Sequence, residues 1–503
     1  MIFGKYKNIG WSIFLLLIIF FISSCATYQV HMGKGLNDTP ICKGCNIVLI
    51  SLTNVRADHL GVYGYTRNTS PNLDAFSKSA IIFDNAFTVA SWTLPALISI
   101  YTSRYPFNHG MMMRSQKALD KKMLTLVDVL NNNGYETAIF SCGKDYLPKY
   151  GLTDRFKRSF FLHTDYWQYE SIKKVIPKAI KWIRQNRNKK FFIHIQGYDA
   201  HCPHAYPKRN DMFDPNYYGN FDFNDLYWTY GKTIPFMKKG KEKYYILRVL
   251  RRKEILDNNE KNFLFSSSFV KLTQRDIYHM VALYDGEIYN ADKYVGYILR
   301  TLKKLKLMNR TIIVFLSEHG EMLGKNGQFM RGMPLEGTFY DDVLHVPLLI
   351  YHPHLKPKRI QSLVSLIDLA PTLLDFLTID IPKDFEGKNV IRAIKEDRLN
   401  RRIFFGAEYT PSKEQVLFKR QFRVMGTRDK KWKLIIEHSC GENHNCVSRY
   451  ELYDINKDSC ERNNLSYTNF KQLEDLSGIV NIWFINEIKN KERGKRSLSN
   501  ESQ

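Results

Sequence analysis

Three strongly apolar runs in this chain each end in polar groups, and those groups include the side chains best suited to acid–base and metal chemistry. The runs are NIVLISL (Asn46–Leu52), FFIHIQ (Phe191–Gln196) and TIIVFL (Thr311–Leu316). They lead into Thr53-Asn54, Asp199-Ala200-His201 and Glu318-His319. Carboxylates ligate hard divalent cations, and carboxylates and imidazoles move protons near neutral pH. In an open α/β sheet, ligands sit outside the carboxyl ends of parallel strands. The three tips are therefore expected to outline a crevice.

The elements that must hold those tips follow from hydrophobic periodicity. Thr137 to Ser141 reads as a strand after the helical pattern of Met123 to Asn132, and Val346 to Tyr351 as another. Arg275 to Leu305 carries apolar residues at helical spacing (Met280, Leu283, Ile288, Val295, Ile298, Leu302), and Leu366 to Leu377 reads as a further helix. Alternation of this kind predicts an α/β fold, a mainly parallel central sheet with helices on both faces. The segment from about Pro203 to Thr273 breaks the rhythm and reads as an insertion near the crevice mouth. Past residue 400, Gln421 to Thr427, Lys431 to His438 and Tyr450 to Tyr453 predict a small antiparallel subdomain. Asn490 to Gln503 is polar and basic and is expected to be disordered.

With 503 residues, 44% hydrophobic and 14% aromatic, the chain has ample material for a large domain and a smaller one. A net charge of +24 favours polyanions such as acidic glycans or lipid headgroups. Most of it is expected to be solvated lysine surface. No basic region with heptads, finger spacing or RNA-binding aromatic pair is present, so no nucleic-acid partner is expected.

Lys5 and Lys7 precede the apolar stretch Trp11 to Ile22, which is short for a membrane span. Ile22-Ser23-Ser24-Cys25 then resembles a bacterial lipobox. The expectation is a lipoprotein signal peptide over 1–25, lipidation of Cys25, and a membrane-anchored protein of the cell envelope, periplasmic or at the outer membrane. The alternatives are an ordinary signal peptide and an uncleaved anchor. A tether over 26–44, a main domain over 45–398, a small sheet over 399–475 and a terminal helix and tail over 476–503 complete the division. In an oxidising setting Cys42/Cys45 and Cys440/Cys446 are candidate local disulfides; a zinc site from both pairs is the alternative. Cys142, Cys202 and Cys460 are left unassigned.

The motifs RADHLGVYGY (Arg56 to Tyr65), TSRYPFNHG (Thr102 to Gly110), SEHGEMLG (Ser317 to Gly324), YDDVLHVPLLI (Tyr340 to Ile350) and ELYDINKD (Glu451 to Asp458) occur in one order and spacing. With SPNLDAFSKSAIIFDNAF (Ser70 to Phe87) and LIDLAPTLLDFL (Leu366 to Leu377), they make the chain resemble the sulfatase family of the alkaline phosphatase superfamily. That resemblance implies sulfuric ester hydrolysis, a calcium-type cation and a sulfated substrate. The family's first pair of metal acids falls on Thr53 and Asn54, and the second pair on Glu318 and His319. Glu318 is then the one acid remaining of three. Losing two opposite charges near a cation costs about 4 kcal/mol per pair at ~4 Å and moderate effective dielectric.

The family's formylglycine position falls on Thr93, in Thr93-Leu94-Pro95-Ala96-Leu97. Threonine carries a methyl on its β-carbon and cannot become that aldehyde, so no formylglycine is expected. Leu97 replaces the motif's arginine. His201 matches a histidine that contacts the substrate ester, with His204 three residues on, and Arg331 stands where many sulfatases place a sulfate-contacting lysine. Arg56 and Asp58 are read as bracing a loop, and Lys144 lies near the family's active-site lysine. Three readings stay open: an ester hydrolase using Thr93, His201 and Arg331, with a weak cation at Thr53, Asn54, Glu318 and His319; a non-catalytic binder of an anionic glycan or headgroup; and a threonine-nucleophile phosphodiesterase or phosphoethanolamine-type transferase. Thr93 as a simple helix N-cap is the alternative to any chemistry.

Overall fold

The computed structural model describes residues 41–112, 118–162, 171–201, 211–219, 238–239, 242–257, 260–325, 329–330, 339–409, 421–441 and 445–500. The expected signal peptide and Cys25, together with His204, Cys202, Arg331 and the side chain of Lys144, lie outside the described residues.

The three apolar runs form neighbouring strands. Asn46–Leu52 is paired in parallel with Thr311–Leu316 on one side and Phe191–Gly197 on the other. Ser51 stands opposite Leu316 and Gln196, so the carboxyl ends of all three strands finish level. Outward, Phe191–Gly197 pairs with Glu136–Cys142 and then Arg158–Leu162; Thr311–Leu316 is followed by Leu348–Tyr351, Ile81–Phe83 and Lys358–Ile360. Within this eight-stranded sheet only Leu348–Tyr351 runs against the rest.

Strand periodicity builds two cores from the same residues. Ile47 and Leu49 face one core, with Leu94, Leu97, Leu130, Leu373 and Ile394 from helices. Val48, Ile50 and Leu52 face the other, with Leu73, Ile176, Ile183, Leu283 and Ile298. Helices thus cover both faces, as period-two burial of an all-apolar strand requires. The long helix is Gln274–Lys304, capped by Thr273, whose hydroxyl and backbone exchange hydrogen bonds with Asp276.

Ile403–Tyr409, Gln421–Arg428, Trp432–Cys440 and Cys446–Asp454 form a four-stranded antiparallel sheet in chain order. The first of these went unseen in the sequence. Lys433 Nζ ties the sheet to the main domain, meeting Asp341 at 2.7 Å and Glu461 at 2.6 Å. Two elements add to what was expected. The segment before Thr273 contains a long antiparallel hairpin, Glu242–Asp257 with Glu260–Thr273. The polar terminus is helical, because Phe470–Asn500 is one helix whose Leu476, Val480 and Trp483 join a third core with Phe107 and Phe405. Lysine, glutamate and arginine are good helix formers, so polarity there does not mean disorder. Cys42–Cys45 and Cys440–Cys446 are disulfides, while Cys142 is free and buried and Cys460 free and exposed.

Candidate functional site

The buried strand tips are organised around one carboxylate oxygen. Glu318 Oε1 accepts hydrogen bonds from Ser51 Oγ at 3.2 Å, from Thr53 Oγ1 at 3.3 Å and from the Tyr146 hydroxyl. Two of the donors, Thr53 and Ser51, are themselves held. Gln196 Nε2 donates to Thr53 Oγ1 at 2.7 Å, and Gln196 Oε1 accepts from the Cys142 amide at 3.0 Å. Since the Ser51 proton goes to Glu318, its oxygen accepts from His194 Nε2 at 2.9 Å, and Tyr101 donates to His194 Nδ1 at 2.8 Å. That chain needs a neutral His194, and burial pushes its pKa down to about 3. Burial is also the largest influence on Glu318, raising it above the usual carboxylate range against the lowering effect of its hydroxyl partners.

The residue at the expected formylglycine position is held by a histidine. Thr93 opens the buried helix Thr93–Thr102, with Trp92 as N-cap and no side-chain capping bond. The N-cap alternative for Thr93 is thereby corrected: its hydroxyl lies 3.0 Å from His319 Nε2 instead. His319 Nδ1 is 2.9 Å from the Gly320 carbonyl, which can only accept. In the neutral imidazole the proton therefore sits on Nδ1, and Thr93 donates to Nε2. Thr93 is 1% exposed. Leu97, in place of the family's arginine, is packed in the core.

Asn54 occupies the left-handed region at φ 70°, which asparagine tolerates better than most residues. Its side-chain nitrogen donates to Glu321, and its carbonyl accepts from Tyr284 on the long helix at 2.7 Å. Arg56 braces the same loop, forking onto Asp58 at 2.8 and 2.6 Å and reaching Asp342 at 2.6 Å. Asp199 caps another helix, accepting from Ser171 Oγ at 2.8 Å and the Ile172 amide at 3.1 Å. His201 is buried and stacked on Tyr198 with centroids 4.2 Å apart.

Thr53 and Glu318, and Thr93 and His319, are thus brought together as pairs, while Asn54 turns to Glu321. Sequence reasoning missed Tyr146, Ser51, His194, Glu321 and Glu287. Burial first, and the charges of Asp199 and Glu321 second, push Glu287 well up. A signal existed for two of them. Glu321 lies inside SEHGEM, and His194 is a polar residue in an otherwise apolar strand.

The architecture, a mainly parallel sheet with level strand tips and a small antiparallel subdomain, is that of the alkaline phosphatase superfamily. The family model Sulfatase matches residues 45–379, and the model N-sulphoglucosamine sulphohydrolase, C-terminal, matches 336–477. The chain belongs to the sulfatase family. An arylsulfatase of Clostridium perfringens is 25% identical over 73% of this chain and 81% of the relative. An N-acetylglucosamine-6-O-sulfatase of Bacteroides thetaiotaomicron is 22% identical over 88% and 85%. Arylsulfatase K of Xenopus laevis is 25% identical, and there the match spans 61% of the relative's length. Among solved structures, a protein in complex with its substrate D-glucosamine-2-N,6-O-disulfate aligns with TM-score 0.64 and 18% identity, covering 89% of this chain and 98% of that one. The phosphonate monoester hydrolase of Agrobacterium radiobacter aligns with TM-score 0.63 and 18% identity, covering 89% and 96%.

The family generally uses a divalent metal such as calcium. The donor set here does not fit that ion. Thr53 Oγ1 and Glu318 Oε1 are spent on one another and on Gln196, Ser51 and Tyr146, and the Asn54 nitrogen faces Glu321. Two buried acceptors without a hydrogen-bond partner, Glu318 Oε2 and Asn54 Oδ1, do not replace a shell of six to eight oxygens. Among the described residues no three of His, Cys, Asp and Glu converge to hold a metal.

Proposed function

We infer that this chain is a sulfatase-family protein that binds an anionic, sulfated saccharide or headgroup in the crevice without the family's formylglycine- and cation-dependent ester hydrolysis. The observation that carries this reading is the enclosure of Glu318 Oε1 by three hydroxyl donors, where a cation would need that oxygen. His201 and Arg331 are the ligand's proposed contacts, since an imidazole and a guanidinium fork suit a tetrahedral oxyanion. The reading includes export and attachment to the envelope membrane through a lipidated Cys25. The two disulfides support an oxidising compartment.

The test is calorimetry and sulfate release with D-glucosamine-2-N,6-O-disulfate, which is the substrate of the structural relative. Binding without release, with or without added calcium, supports the reading. Calcium-dependent release at wild-type Thr93 overturns it.

One observation favours a second reading. A threonine hydroxyl 3.0 Å from an imidazole nitrogen, with the ring's far nitrogen fixed by a backbone carbonyl, has the arrangement of a nucleophile and its base. In a phosphodiesterase or transferase of this kind, Thr93 Oγ1 would bond to phosphorus, the ester oxygen would leave, and His319 Nε2 would take the hydroxyl proton. Phosphate found on Thr93 by mass spectrometry after incubation with an aryl phosphodiester would select this reading over the first.

A further inference from the structure

The outer face of the longest internal helix has an unusual charge distribution. Gln274–Lys304 contains four acids, Asp276, Asp285, Glu287 and Asp292, and all are buried. Its exposed charged residues are Arg275, Lys293, Arg300, Lys303 and Lys304, every one a cation. Tyrosines stand among them: Tyr278 is 50% exposed and Tyr297 53%, with Tyr289 half-buried between. At about 100° per residue, Arg275, Tyr278, Tyr289, Lys293, Tyr297 and Arg300 fall within an arc of roughly 100°. Arg275 and Tyr278 stand at one end, Arg275 paired with Asp214, and buried Ala282 and Gly286 separate them from Tyr289, Lys293, Tyr297 and Arg300, which extend along ~17 Å of helix. Each ring carries a cation: Arg67 lies 4.7 Å from the Tyr278 centroid, Lys293 4.6 Å from Tyr289 and Arg300 4.8 Å from Tyr297. The result is a narrow stripe over Tyr289, Lys293, Tyr297 and Arg300 in which rings and positive charges adjoin.

The geometry points to this stripe as a binding surface for a linear sulfated polysaccharide, separate from the crevice. Sulfate groups meet the cations, and sugar C–H faces pack on the tyrosine rings, whose amphipathic character suits a half-wet contact. A bilayer surface fits less well. The apolar residues of this helix are committed to the core, leaving no apolar face to enter a headgroup layer. The stripe goes beyond the crevice reading, and its failure would leave binding of a small sulfated saccharide in the crevice untouched.

The experiment measures binding of the full chain to a heparin oligosaccharide across a salt series. Wild type should bind, with affinity falling as salt rises. The double variant Lys293→Glu/Arg300→Glu should lose about tenfold or more and show a shallower salt slope, because fewer counterions are released. Tyr289→Ala/Tyr297→Ala should lose about three- to tenfold with the slope unchanged, since rings contribute contact rather than charge. Lys383→Glu/Lys430→Glu, exposed positions off the stripe, makes the same change in net charge and should retain affinity. The proposal is overturned if wild type fails to bind heparin, or if the off-stripe pair loses as much as the stripe pair. It is also overturned if the stripe variants lose binding to phosphatidylglycerol vesicles or single-stranded DNA while heparin affinity is unchanged.

Discussion

Thr93 donates its hydroxyl proton to His319 Nε2 across 3.0 Å, and the Gly320 carbonyl holds the proton on the other ring nitrogen. In the binding reading this contact is structural. Thr93→Val then strips a buried imidazole nitrogen of its donor and should cost about 1–3 kcal/mol in urea unfolding. Affinity for the disulfated glucosamine should change less than about threefold, because no bond to the ligand is removed. A loss of turnover with unchanged stability would instead favour the nucleophile reading.

Tyr146→Phe removes one of the three donors on Glu318 Oε1. A hydrogen bond to a charged group contributes about 1.5–3 kcal/mol, and a destabilisation in that range is expected. Glu318→Gln combined with Tyr146→Phe should cost less than the sum of the single changes, with a coupling of about 1 kcal/mol. Additive effects in the cycle would show that the contact contributes nothing to stability.

Chelation separates this arrangement from a cation site. Treatment with a chelator followed by millimolar calcium should leave the Tm within about 1 °C throughout, since a ligand stabilises only what it binds. Thr53→Asp/Asn54→Asp places two more acids beside Glu318 and Glu321. That variant should melt lower without metal and recover by about 3 °C or more with calcium. A calcium-dependent Tm in the unaltered chain would contradict the donor-set argument.

Stability should fall as pH rises above the ordinary carboxylate range, through the C-terminal helix. Burial first and the neighbouring Glu386 second push Glu487 from 4.5 up to about 9. Glu386 also accepts from the Tyr105 amide at 2.8 Å and Asn108 at 2.6 Å, fixing its place in the pair. Because the folded-state pKa is raised, the folded chain holds a proton that the unfolded chain releases. This contribution is complete below about 4.5 and declines as pH climbs towards 9. Most of the loss should fall between roughly pH 5 and 8, where the unfolded chain has released the proton and the folded chain still holds it. Glu487→Gln should flatten the profile and raise the Tm on its alkaline side; an unaltered slope would exclude this pair as its source.

Trp483 fixes the same helix. Its ring lies 5.1 Å from Tyr105, 5.9 Å from Phe107 and 5.0 Å from Phe404. Trp483→Ala should cost about 3–5 kcal/mol, the usual range for emptying a large buried aromatic site. Hydrogen exchange of Leu476 and Val480 amides would rise if the helix undocks, and a change confined to the helix end would contradict this role.

The sheet was legible because its central strands are apolar on both faces and bounded by polar tips, a pattern that needs no long-range information. The hairpin Glu242–Asp257 with Glu260–Thr273 was not legible. Its first strand, EKYYILRVLRRKEILD, lacks a steady period of two, and its pairing is decided across the turn rather than within the strand. The site divided in the same way. Thr53, Thr93, Glu318 and His319 followed from spacing within motifs. Tyr146 and His194 reach Glu318 and Ser51 from elements far away in sequence, where a tyrosine or histidine has no local mark of its role.

The Cys42–Cys45 link closes a short loop immediately ahead of the middle strand of the main sheet, and the Cys42 amide bonds the Phe376 carbonyl at 2.8 Å. Tension arriving through Ile41 would meet this knot first and then the Asn46–Leu52 strand, which is flanked on both edges by parallel neighbours. Force along such a strand shears two ladders of bonds together instead of opening one bond at a time. A chain pulled by its leading end would thus pass the load to a strand braced by neighbours on both edges.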